Sequence, residues 1–122
     1  MKRIIIFLII LMTVTAIQAQ KISHIENTGS WYNIYDENGK KVRTFTTSNT
    51  ELVAYSESFY IIKQGSFYHT CDVKGKRLHT FAVSSVGEIL NATGDTFTSR
   101  NGSWVITWDK SGKKLNTRPY RK

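Results

Sequence analysis

The chain has 122 residues, 40% of them hydrophobic and 12% aromatic, with one Pro, one Cys and a formal charge of +8. That length holds a single domain, and the aromatic content beside only 21% charged residues excludes a disordered charged tail. One cysteine excludes an intramolecular disulfide and a cysteine-rich metal cluster.

Residues 1–19 have the three parts of a secretory leader. Met1-Lys2-Arg3 is basic, Ile4 to Ile17 is apolar, and Ala19 is a small residue beside the polar Gln18 and Gln20. The apolar run is shorter than the about 20 residues of a spanning helix, and it holds no Cys to carry a lipid. Cleavage after Ala19 leaves residues 20–122 as a single domain outside the cytoplasm, secreted or periplasmic, with no stable membrane span. Loss of Lys2 and Arg3 leaves 15 basic residues against 9 acidic ones.

Beyond the leader one pattern occurs three times. Gly29-Ser30-Trp31-Tyr32-Asn33-Ile34-Tyr35-Asp36 returns as Gly65-Ser66-Phe67-Tyr68-His69-Thr70-Cys71-Asp72, and again as Gly102-Ser103-Trp104-Val105-Ile106-Thr107-Trp108-Asp109. Each Asp is followed three residues later by Gly and two basic residues: Gly39-Lys40-Lys41, Gly75-Lys76-Arg77 and Gly112-Lys113-Lys114. An aliphatic residue and a Thr close each copy, so the repeat cores are 29–45, 65–81 and 102–118 at spacings of 36 and 37 residues. Asp-x-x-Gly fits a tight turn, with Asp capping and Gly supplying positive φ. Flanks rich in aromatic and β-branched residues make each core a hairpin.

A second turn is expected upstream, at Gln64-Gly65 and Asn101-Gly102, the latter a strong hairpin signal. Further strands are expected at Glu51–Tyr55, Phe59–Lys63, Glu88–Ala92 and Phe97–Arg100. In all, about eleven strands run from Ile22 to Arg118: a partial first unit, a full middle unit and a third lacking its last strand. The fold class is therefore all-β, an antiparallel meander of three repeats. It is either propeller-blade-like or a small pseudo-three-fold barrel or prism, with helix only in the leader. Two-residue alternation divides the central strand into one face holding Trp31, Asn33 and Tyr35 with their counterparts, and another holding Tyr32 and Ile34 with theirs. The aromatic column of the first face is the expected core.

The run Asn101-Gly102-Ser103-Trp104 through Asp109-Lys110-Ser111-Gly112-Lys113 resembles the bacterial WG-repeat pattern, in which Gly-x-Trp precedes an Asp-x-x-Gly-Lys turn. The resemblance covers most of residues 20–122 in three copies. The Gly that follows Trp in that family is Tyr32, Tyr68 and Val105 here. Membership would imply a β-repeat scaffold used for binding, with no defined catalytic residues.

Chemistry-bearing residues are sparse. His69 and His79 stand where other copies have Asn33 and Ile106, or Arg43 and Asn116, so both read as tolerated substitutions. Cys71 falls in the aromatic column and reads as a small hydrophobe, with an intermolecular disulfide as the minority reading. Asp36, Asp72 and Asp109 each stand alone in a turn followed by basic residues, unlike the clustered oxygens of a calcium loop. No cofactor, metal or catalytic residue is assigned.

Two features point to binding. Lys40, Lys41, Lys76, Arg77, Lys113 and Lys114 are expected at three equivalent hairpin tips, where they would form a positive surface for an anionic polysaccharide. Trp31 and Trp104 are aromatic candidates for stacking on sugars, although their column favours core packing. The expected function is non-enzymatic binding or scaffolding at the cell envelope, toward an anionic glycan or an envelope protein and not nucleic acid. Two readings stand beside it: a self-assembling subunit of a larger β assembly (a homo-oligomer), and a small secreted hydrolase.

Overall fold

Eleven short strands follow the turns along the chain in the computed structural model, which describes residues 20–121. The leader expected over residues 1–19 lies outside them. The strands are β1 (Ile22–Asn27), β2 (Trp31–Asp36), β3 (Lys41–Thr46), β4 (Glu51–Tyr55), β5 (Phe59–Gln64), β6 (Phe67–Asp72) and β7 (Arg77–Ala82), then β8 (Glu88–Thr93), β9 (Thr96–Asn101), β10 (Trp104–Asp109) and β11 (Lys114–Pro119). They form three separate antiparallel sheets in chain order: β1-β2-β3, β4-β5-β6-β7 and β8-β9-β10-β11. This is the blade-like alternative. Two expectations are corrected. The third unit is complete with four strands, and a one-turn helix, α1 (Val83–Val86), joins the second sheet to the third.

Local chemistry repeats with the sequence. In the first copy the Asp36 carboxylate accepts the amides of Asn38 and Lys40, both at 2.9 Å. In the second the Asp72 carboxylate accepts those of Lys74 and Lys76 at 3.0 and 2.8 Å. Asp109 accepts the Ser111 amide at 3.0 Å. Gly39, Gly75 and Gly112 take φ of 78°, 91° and 108°. A register slip follows each turn, at Ile34/Tyr35, Thr70/Cys71 and Thr107/Trp108, as a turn closed by a left-handed residue and a bulge requires. The upstream turn lies one residue later than the sequence predicts. Gln64 pairs with Phe67 and Asn101 with Trp104, so the central residues are Gly65-Ser66 and Gly102-Ser103. Glycine at the first of two central positions with positive φ (61° and 62°) is the type II′ arrangement.

The second sheet is the middle layer. Its Phe59, Ile61, Tyr68 and Phe81 pack on Phe97, Ile106 and Trp108 of the third sheet and on Val86 of α1. From its other face Tyr60, Ile62 and Cys71 pack on Ile22 and Ile34 of the first sheet. Facing sheets bury alternate residues of one strand in two different cores, so β5 reads as a continuous apolar run. Polar ties cross the joints: Thr70 donates to the Lys110 carbonyl at 2.6 Å, Ser58 to the Gly94 carbonyl at 2.7 Å, and Tyr68 to the Gly87 carbonyl at 2.8 Å.

The aromatic column is corrected as the core. Trp31, Phe67 and Trp104 are about half exposed, at 50%, 49% and 52%. Each is the first residue of its strand, and Trp31 stands on the outermost face of the first sheet. The rest of the column is largely buried, at Asn33, His69, Ile106, Cys71 and Trp108, and Tyr32, Ile34, Tyr68 and Val105 of the opposite face are equally enclosed.

Candidate anion-binding surface

The three Asp-x-x-Gly turns lie side by side along one end of the stack. The side chain of Arg43 on β3 rests on Gly75 of the next sheet's turn, where a Cβ would overlap its guanidinium. His79 on β7 rests in the same way on Gly112, where a Cβ would come within 2.7 Å of the imidazole. Residues 43 and 79 are repeat equivalents, as are the two glycines, so the turns follow one another in register. Sheets stacked about 10 Å apart space the three turns at that interval.

Within each basic pair the two residues diverge. Lys40, Lys76 and Lys113 stay in the turns, exposed, and their carbonyls accept the Asp36, Asp72 and Asp109 amides at 2.7–2.9 Å. Lys41, Arg77 and Lys114 begin the outer strands opposite Tyr35, Cys71 and Trp108, and their side chains run onto the sheet face. On the first sheet that face is outermost and carries Lys41 and Trp31 with no sheet over it. On the third sheet beside α1, Lys114 and Trp104 line one open groove of about 450 Å³ with Ser85, Asn101, Ile106 and Thr117. The Lys114 ammonium also stands 5.4 Å from the Trp108 ring centre. Between the first and second sheets, Arg77 lines a smaller cavity of about 180 Å³, across from Arg43. The six basic candidates thus divide into a turn row of Lys40, Lys76 and Lys113, Lys41 on the open outer face, Arg77 in the cavity between the first two sheets, and Lys114 in a groove that Trp104 joins.

Sequence reasoning missed Arg43. Its alternation with Ile34, its partner on β2, is the signal that sets it on the face turned to the second sheet.

The remaining polar groups are held by structural partners. Buried His69 shares a 2.9 Å hydrogen bond with Thr80, the counterpart of the 2.9 Å bond from Thr44 to Asn33. Burial, with the Arg77 charge second, holds its pKa below the usual histidine value. Burial pushes the Cys71 thiol up, and the side chain is 4% exposed. Asn101 donates to the Ser84 and Ser85 carbonyls at 3.1 and 3.0 Å, which anchors α1. Among the described residues no three His, Cys, Asp or Glu side chains form a metal-holding group, and no helix is long and apolar enough to cross a membrane.

No family model and no curated protein matches the chain. Among solved structures it is similar to a protein of unknown function from Bacteroides caccae, with a TM-score of 0.50 at 12% identity over 82% of this chain. The likeness is one of fold. The match spans 40% of that protein's length.

Proposed function

We propose that the protein is a non-enzymatic binding module of the cell envelope, carried out of the cytoplasm by its leader, and that it engages an anionic polysaccharide through the row of basic turns. The observation that carries this reading is the register of the turns. Arg43 on Gly75 and His79 on Gly112 align three lysine-bearing loops along one end, at a spacing set by the sheets. A linear polyanion laid across them meets one basic turn per sheet, and multipoint contact of this kind is strong at low salt and screened at high salt. The groove holding Trp104 and Lys114 adds an aromatic face and a cation beside the hydroxyls of Ser85 and Thr117. The WG-like repeat pattern, with its binding scaffold, agrees with this reading.

The test is retention of residues 20–122 on acidic and neutral polysaccharide columns at low and high salt. The comparison variant carries Lys40, Lys41, Lys76, Arg77, Lys113 and Lys114 changed to Ser. Retention on the acidic columns should fade with salt and vanish in the variant. Equal elution of both proteins from every column overturns the reading.

A further inference from the structure

The cavity between the first and second sheets collects positive charge with which no carboxylate side chain among the described residues pairs. Arg43 on β3 and Arg77 on β7 both line it, together with Thr50, Tyr60, Gln64 and Cys71. All nine carboxylate side chains of the sequence lie within the described residues, yet the one ion pair recorded there joins Lys110 to Asp95 at 2.9 Å. Neither guanidinium therefore has a carboxylate within ion-pair distance. Asp72, the acid adjoining Cys71, faces the opposite side of its sheet and is occupied by the turn amides.

The walls are built. Gly75 leaves the space that the Arg43 guanidinium fills, the Gln64 amide donates to Thr50 at 2.9 Å, and Thr50 donates to the Ser48 carbonyl at 3.0 Å. The Tyr60 ring stacks on Phe45 with centroids 5.2 Å apart, which holds the phenol at the cavity. That phenol is pushed up to about 12 by burial first and Cys71 second, while Arg43 acts in the opposite sense. It stays a neutral donor at any physiological pH. A volume of about 180 Å³ equals several water molecules at about 30 Å³ each, which suits one small oxyanion with part of its hydration.

We propose that Arg43 and Arg77, with the Tyr60 hydroxyl, form a seat for a single oxyanionic group: a carboxylate, sulfate or phosphate, borne on a sugar or free in solution. Guanidinium forks match the geometry of such groups and bind them through paired charge-assisted hydrogen bonds. The seat deepens the polyanion reading by giving it a discrete charged subsite. It stands apart from that reading because Arg43 is not one of the turn residues.

Residues 20–122 would be titrated calorimetrically, at constant ionic strength, with sulfate, phosphate, glucuronate and acetate. One saturable site is expected for at least one of the first three. Arg43→Gln should weaken it about tenfold or more, the scale of a lost charge-assisted contact. Arg77→Lys, which keeps the charge but not the fork, should also weaken it, and Lys63→Ser, on the opposite face of the second sheet beside Tyr68, should leave it unchanged. Glucuronate binding above acetate marks a sugar-borne group, whereas sulfate or phosphate binding above glucuronate marks a free oxyanion. Unchanged melting temperatures would show that the variants fold. Saturable binding absent for all four probes, or weakened equally by Lys63→Ser, overturns the seat. Failure of the polymer reading looks different: the protein is not retained on the columns yet still titrates with the small anion.

Discussion

Three equivalent glycines give a measurement of how the sheets stack. Gly39, Gly75 and Gly112 occupy the same turn position, with φ of 78°, 91° and 108°. An alanine in left-handed backbone costs about 1–2 kcal/mol, of which about 0.4–1 kcal/mol is offset by the reduced freedom of the unfolded chain. That contribution is common to all three. The surroundings differ: a Cβ on Gly39 meets nothing within 4 Å, one on Gly75 meets the Arg43 side chain, and one on Gly112 meets the His79 ring. Gly39→Ala should therefore lose about 1 kcal/mol, and Gly75→Ala slightly more, because a flexible guanidinium can swing aside. His79 is held edge-on to Phe81, with centroids 4.5 Å apart. Displacing it sacrifices part of an aromatic contact of about 0.5–1.5 kcal/mol, so Gly112→Ala should lose about 2 kcal/mol in all. For a domain near 100 residues, 1 kcal/mol moves the melting temperature by about 4–8 °C. Thermal unfolding followed by circular dichroism should thus rank the losses Gly39→Ala, then Gly75→Ala, then Gly112→Ala, the last near twice the first. Three equal losses would refute the argument, because they would mean that no sheet leans on the next one's turn.

Other outcomes follow from single sites. Phe97→Ala should cost about 3–5 kcal/mol, since Phe97 is 1% exposed and lies between the Phe81 and Trp108 rings. In a denaturant titration of both variants, Trp104→Ala should cost about 1 kcal/mol or less, as for an exposed position. His69 is held neutral by burial, so the unfolded chain binds its proton more readily. Stability should fall as pH drops below the unfolded value of 6.5 toward the lower folded one. His69→Asn, which reproduces the Asn33–Thr44 pair, should flatten that part of the melting temperature against pH curve. Cys71 should react with a thiol reagent at pH 8 far more slowly than a free cysteine peptide, and at the peptide's rate once denaturant unfolds the chain. Rapid labelling of the native protein would contradict its burial.

The repeat arithmetic made most of the fold legible, because each turn signal carries its own backbone requirement. Asp36, Asp72 and Asp109 cap their turns as read, and β4 runs from Glu51 to Tyr55 as read. The hairpin beside Asn101 lies one residue later than Asn-Gly predicts, since Asn-Gly suggests one turn type while Gly-Ser supplies another. Which aromatic residues are buried was not legible. Alternation sorts residues onto faces but does not say which face is outermost, as for Trp31, or where along a strand its covering stops, as for Trp104, so the expected core includes both although each is half exposed. The Arg43–Arg77 cavity was hidden for a related reason. It joins residues 34 apart in sequence that share no motif, and only the stacking of two sheets brings them together.

The outer faces of the stack bear on the self-assembly reading. Inside, the second sheet offers Phe59, Ile61 and Phe81 to the third. The equivalent positions on the outer face of the third sheet are Thr96, Thr98 and Arg118. On the opposite outer face, His24 and Glu26 stand where the second sheet has Tyr60 and Ile62. Val105, the one large apolar residue central to the third sheet's outer face, lies between its strand partners Arg100 and Arg118, and Arg100 is in turn stacked 3.8 Å from the Tyr120 ring centre. Repeat proteins end their stacks in this way, with a polar face where an internal unit would bury apolar side chains. A second copy placed on either end would desolvate charges and gain little apolar burial. Light scattering coupled to size exclusion should therefore return the mass of one chain at micromolar concentration. Thr96→Phe, Thr98→Ile and Arg118→Phe together, which restore the second sheet's pattern on the end face, should make the protein associate. A native dimer that Thr98→Lys dissociates would show that the end face is a joint after all.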